Sequence, residues 1–122
     1  MKVALVTGGG SGIGAATARR LAADGWGVAI TGRRPEPLDA LADELDALAL
    51  PGDVGERADA EAAVAATVEH FGGLDGLVLN AGRSGAPGSL LEVDPDGFAD
   101  VHRVNVLGSL VTARAAIRPL LR

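Results

Sequence analysis

Residues 2–14, Lys2-Val3-Ala4-Leu5-Val6-Thr7-Gly8-Gly9-Gly10-Ser11-Gly12-Ile13-Gly14, decide the fold of this chain. Val3 to Val6 form a continuous apolar run, the pattern of a strand buried on both faces. Thr7 and three consecutive glycines break the run, and an Ala-rich helical pattern begins at Ile13. Strand, glycine turn and helix in immediate succession aim helical N–H groups at an anion. With no Cβ in the way a phosphate can approach the backbone, and the positive end of the helix favours its charge. A Walker phosphate loop needs a lysine after its last glycine, and the one lysine here is Lys2, so that form is excluded. A loose G-x-G-x-x-A match at Gly10, Gly12 and Ala15 adds little by itself.

Outward from this turn, strand and helix patterns alternate. The first helix is expected over 12–24, with Ile13, Ala16, Thr17 and Leu21 on one face and Gly25 where a helix-ending glycine belongs. Gly27 to Thr31 read as a second strand, Gly32 to Pro35 as a turn, and 37–46 as a helix carrying Leu38, Leu41, Ala42 and Leu45. A third strand spans 47–50, closed by Pro51-Gly52 and followed by Asp53-Val54. The third helix covers about 56–71, with Val64, Thr67, Val68 and Phe71 as its stripe, and the fourth strand, 77–79, delivers Asn80-Ala81-Gly82. After a flexible Gly/Pro/Ser loop over 83–89, Asp94 is a good N-cap and Pro95 suits the first helical position. Val93 and Phe98 fit a hydrophobic staple. That last helix is expected to continue through Val104 and Val111 to Pro119.

Four apolar strands alternating with four helices describe an α/β domain, a Rossmann-type doubly wound parallel sheet with right-handed crossovers. The expected strand order is 3-2-1-4, and ligands bind such sheets beyond the carboxyl ends of strands 1 and 4, where the winding reverses. The short polar motifs of the chain cluster at those ends.

Composition narrows the function. The chain has 122 residues, 48% of them hydrophobic and 22% charged, which reads as one soluble globular domain. A net charge of −5 without a basic stripe argues against nucleic acid or an anionic membrane as partner. With no cysteine, disulfides and thiolate chemistry are excluded, and His70 and His102 are too isolated to suggest a metal site. No apolar run reaches membrane-spanning length, and the chain enters a strand without a signal-peptide pattern, so a cytoplasmic protein is expected.

At the end of the second strand, a cofactor with a free 2′-hydroxyl usually meets an acid about 20 residues after the glycine turn. Here Thr31 and Gly32 lead into Arg33 and Arg34, whose guanidinium groups would pair with a 2′-phosphate that an acid would repel. The alternative is a solvated arginine pair in a turn. Asn105 sits mid-helix, where Asn competes for backbone hydrogen bonds; it is either solvent-facing or there for a reason.

The pattern Thr7-Gly8-x-x-x-Gly12-Ile13-Gly14 after an N-terminal strand resembles the cofactor turn of the short-chain dehydrogenase/reductase family. The resemblance covers the whole chain and implies a role for each motif. Gly8, Gly12 and Gly14, with Thr7, Ser11 and Ile13, would cradle a pyrophosphate. Arg33 and Arg34 would take the 2′-phosphate, so that NADP(H) is favoured over NAD(H). Asp53-Val54 would frame the adenine, unless Asp53 merely caps the next helix. Asn80-Ala81-Gly82 would lie beside the ribose, unless it is a plain strand-ending turn. Asn105 matches the Asn of the catalytic tetrad, which in the family distorts its helix.

The family's Ser and Tyr-x-x-x-Lys lie on the following strand and helix, which the sequence does not reach, and the chain has no tyrosine. The resemblance therefore implies the cofactor-binding front part of an oxidoreductase, truncated after the fourth strand and helix and inactive alone. A non-catalytic dinucleotide-binding module or a folded remnant are the alternatives. An unprotected Leu77-Val78-Leu79 edge and an apolar last helix predict self-association; a small-molecule substrate is expected only if the rest of the fold is supplied.

Overall fold

A computed structural model describes residues 1–85 and 88–122; the expected loop over 83–89 thus falls partly outside the described residues. The elements follow as β1 (Val3–Val6), α1 (Gly12–Ala23), β2 (Gly27–Gly32), α2 (Pro35–Leu45), β3 (Leu48–Pro51), α3 (Arg57–Phe71), β4 (Gly76–Val78), α4 (Pro95–His102), a π-helical turn (Arg103–Leu107) and α5 (Gly108–Leu120). The strands form one parallel sheet in the order β3-β2-β1-β4, the order expected from the sequence. Register runs Val3 to Gly27 and Ala4 to Gly76 on the two sides of β1, and Ala29 to Leu48 beyond β2.

The period-2 alternation of β1 feeds two cores. On one face of the sheet Val6 packs with Ile30, Ala15 and Ala18 of α1 and Leu38 and Leu41 of α2. On the other, Val3 and Leu5 pack with Ala29, Val64 of α3 and Ala116 of α5. Leu5, Ile30 and Leu38 are fully buried, each worth about 1.5–3 kcal/mol relative to exposure.

Three expectations need correction. The buried face of α1 is Gly14, Ala15 and Ala18, whereas Ile13 is 78% exposed. The larger apolar residues set the expected stripe, but the helix lies so close to β1 that only small residues fit beneath it. The last helix is also not continuous: five residues around Asn105 adopt the wider π turn, and Pro119 sits inside the final turn of α5 rather than ending it. The α4 start is as expected at Asp94, whose carboxylate accepts from the N–H groups of Asp96 and Gly97. The staple does not bury its members, since Val93 and Phe98 are 43% and 67% exposed. Among the described residues no helix is long and apolar enough to cross a membrane, and no cluster of three or more metal-ligating side chains occurs.

Candidate functional site

The site is built on a joint between the ends of β1 and β4. The Thr7 hydroxyl, 2% exposed, accepts from the N–H groups of Asn80 and Ala81, each at 3.0 Å, and donates to the carbonyl of Val78 at 3.3 Å. Asn80 returns the link by donating from Nδ2 to the Gly8 carbonyl at 3.1 Å. Gly8 turns the chain with φ +65°, a conformation L residues rarely adopt, and a Cβ there would press on the Ala81 backbone at 2.9 Å. A Cβ on Gly14 would overlap the Gly8 carbonyl outright. Thr7 and Asn80 thus tie the ends of β1 and β4 together, Gly14 packs against the Gly8 carbonyl, and Thr7 and Asn80 directly precede Gly8 and Ala81 of the cleft lining.

Beyond this joint the four strand ends enclose an open cleft of about 310 Å³. Gly8, Gly10 and Ser11 form one wall, and Thr31 through Arg34 a second. Gly52, Asp53 and Val54 close the adenine-side end expected from the sequence, while Ala81, Gly82 and Arg83 face them with Val104 between. Arg33 and Arg34 are exposed at the rim, and Gly32 occupies the end of β2. Gly12 and Ile13 stay outside the lining; Gly12 has φ +55° and open space where a Cβ would stand.

Three features equip the cleft for an anion with polar ends. Ser11, the N-cap of α1, makes no side-chain cap, and the first turn carries no acid, so its N–H groups are available to a phosphate. Gly10 lines the cleft without adding a side chain to it. The Thr31 hydroxyl is buried in the wall without a hydrogen-bond partner among the described residues. These residues fit a dinucleotide: a helix end for pyrophosphate, cations at one rim and a carboxylate at the far end.

Asn105 does not face solvent idly. Its Oδ1 accepts from the Arg83 N–H at 2.8 Å and its Nδ2 donates to the Arg83 carbonyl at 2.9 Å, so the side-chain amide grips one backbone residue after β4. The π turn swings it there.

An ionic chain that sequence reasoning missed runs beneath. Arg103 Nη2 donates to Asp53 Oδ2 and to Asp100 Oδ1, each at 2.9 Å, and Asp100 also pairs closely with Arg83. Hydrogen bonds from Arg103, and the charges of Arg83 and Arg103, hold the Asp100 carboxyl below its usual range. Asp100 and Asp53 in turn raise Arg103, keeping it charged. Only the i, i+3 spacing of Asp100 and Arg103 was available from the sequence; nothing local marks the partnership of Arg103 with Asp53 across the fold.

The family model for short chain dehydrogenase matches residues 2–122. A short chain dehydrogenase from Burkholderia cenocepacia, solved in complex with NADP, is 42% identical and superposes with a TM-score of 0.92 over 98% of this chain and 51% of that one. A 3-ketoacyl-(acyl-carrier-protein) reductase from Brucella melitensis, solved with NADH, is 39% identical with a TM-score of 0.93 over 97% and 49%. The peroxisomal 2,4-dienoyl-CoA reductase of Arabidopsis thaliana is 38% identical over 98% of this chain and 41% of its own length. The chain spans about half the length of the relatives it matches. By sequence, strand order and the arrangement of its glycine turn, the chain belongs to the short chain dehydrogenase family.

Proposed function

We propose that the cleft binds NADP(H) in preference to NAD(H), as the cofactor-binding part of an oxidoreductase that moves a hydride between that cofactor and a carbonyl or alcohol. The observation that carries the reading is the end of β2: Gly32 stands where an acid would meet a 2′-hydroxyl, and Arg33 and Arg34 stand exposed at the rim. The relatives solved with NADP and with NADH support a dinucleotide and divide on the 2′-phosphate.

In this reading the α1 N–H groups and Gly8, Gly10 and Ser11 hold the pyrophosphate, with Gly12 and Ile13 at the mouth. Arg33, flanked by Arg34, takes the 2′-phosphate. Asp53 and Val54 frame the adenine, while Ala81 and Gly82 give the ribose a wall without bulk; Thr7, Gly14 and Asn80 hold these pieces in register. The nicotinamide, when bound, supplies the hydride. Asn105 fixes the Arg83 backbone beside it, as the catalytic Asn of the tetrad. A proton donor at the developing alkoxide contributes about 10²–10⁴-fold, and with no tyrosine in its sequence the 122-residue chain by itself is expected not to turn over. Exposed Phe98, Leu107, Leu110 and Ile117 favour self-association.

Calorimetric titration of NADPH and NADH tests the cofactor choice. A charge-assisted contact to phosphate is worth about 1.5–3 kcal/mol, so NADPH is expected to bind about ten- to hundredfold tighter. Arg33→Ala should erase most of that difference; equal affinities in the wild type would contradict it.

A further inference from the structure

Asp53 is held on both oxygens. Oδ1 accepts from the Gly55 N–H at 2.9 Å, and Oδ2 accepts from Arg103 Nη2 at 2.9 Å. The turn that follows is shaped around this guanidinium: a Cβ on Gly55 would collide with Arg103 Nη1. On the other side of the π turn, Gly108 lies so close to Val54 that a Cβ would meet its backbone carbonyl oxygen at 3.2 Å. The two ends of the π turn therefore clasp residues 53–55, one by charge and one by packing. The guanidinium is itself fixed from behind by Asp100, which also pairs with Arg83, and reaches Glu56 at 3.4 Å.

We propose that Arg103 is the positioning residue for the adenine end of the cleft: it orients the Asp53 carboxylate toward a purine amine and offsets its charge against an incoming polyphosphate. The proposal rests on the dinucleotide reading above. A carboxylate has about four lone-pair sites, and the two bonds observed fix its plane while leaving others for the exocyclic amine of adenine. Without Arg103 the carboxylate would be held by Gly55 alone. It would also stand as an unneutralised negative charge in a cleft that takes a polyphosphate. The side chains of Asp53 and Arg103 are 21% and 29% exposed, so their attraction is less screened than that of a surface pair. An arginine fork is suited to the task where a lysine would supply only a point charge.

The test uses the full chain, with 2′,5′-ADP and NADPH as probes. Arg103→Met is expected to weaken both by a similar factor, about tenfold, with Arg103→Lys in between. In a double-mutant cycle, Arg103→Met on an Asp53→Asn background should cost less than threefold, because the arginine acts through that carboxylate. A ligand-free readout accompanies it: the Gly55 amide proton, bonded to Asp53, should shift in Arg103→Met in the direction that Asp53→Asn shifts it. If Arg103→Met fails to fold, Arg103→Lys carries the same comparisons. Affinities within twofold of wild type, losses that multiply in the cycle, or an unmoved Gly55 resonance would each overturn the proposal. If the wild type binds neither probe, the dinucleotide reading falls and the proposal with it, whereas wild-type binding with an indifferent Arg103 removes the proposal alone.

Discussion

Thr7 and Asn80 meet across the ends of β1 and β4, where the Thr7 hydroxyl accepts the Asn80 N–H at 3.0 Å and the neighbouring Ala81 N–H at 3.0 Å. One side chain thereby fixes the switch point of the sheet. Thr7→Val keeps the shape and removes the acceptor, leaving the Ala81 N–H unpaired at a cost of about 1–3 kcal/mol. Urea denaturation should show that loss in Thr7→Val and little of it in Thr7→Ser. Equal stability of all three chains would mean the hydroxyl is not what holds the joint.

Gly14 and Gly12 look alike in the sequence and differ in the fold. A Cβ on Gly14 would strike the Gly8 carbonyl, whereas one on Gly12 meets open space at φ +55°. Gly14→Ala should cost about 3 kcal/mol or more, at the upper end of overpacking. Gly12→Ala should cost about 1–2 kcal/mol, from backbone conformation alone. Thermal or urea midpoints check the order; a Gly14→Ala chain as stable as Gly12→Ala would contradict it.

Asp100 gives the stability a pH dependence of known sign. Its carboxyl lies below the ordinary value of 3.8 in the folded chain, chiefly through hydrogen bonds from Arg103. The unfolded chain then takes up the proton first, so this contribution is complete above pH 3.8 and is lost as pH falls through the depressed folded value. The gap in urea midpoint between wild type and Asp100→Asn should therefore narrow from pH 7 to pH 3. A gap independent of pH would show that the carboxylate is not stabilised by its arginines.

The exposed apolar residues of α4 and α5 predict association. Leu110 and Ile117 are 60% and 51% exposed, and Phe98 is 67% exposed, large apolar side chains whose removal from water would favour association. Sedimentation velocity at micromolar concentration should detect dimers or larger species. A single monomer boundary across a tenfold concentration range would refute this.

Much of this architecture was legible because its signals are local. Val3 to Val6, the glycines after Thr7 and the apolar stretches of β2 to β4 are contiguous, and a parallel sheet follows from their alternation with helices; its order is the expected 3-2-1-4. The buried face of α1 departs from the stripe its larger apolar residues suggest, because close packing against β1 selects Gly14, Ala15 and Ala18. Asn105 drew notice as a poor helix former, and the π turn explains it; its grip on Arg83 spans 22 positions and leaves no trace in spacing. Arg103 was missed for the same reason, since Asp53 lies 50 residues away. Thr7, Gly14 and Asn80 show the opposite limit. Their motif is visible, but only the three-dimensional arrangement shows Thr7 bonded to the Asn80 N–H and Gly14 packed against the Gly8 carbonyl.

The most direct test of the account is where NADPH touches the chain. In a ¹⁵N-labelled sample titrated with NADPH, the amides of Gly10, Ser11, Ile13, Arg33, Val54 and Gly82 should shift together, with one dissociation constant. Those of α3 and of the Lys2 end of β1 should stay in place. Saturating NADPH that moves no amide in the glycine turn, or moves only residues of α4 and α5, would contradict the assignment of this cleft to the dinucleotide.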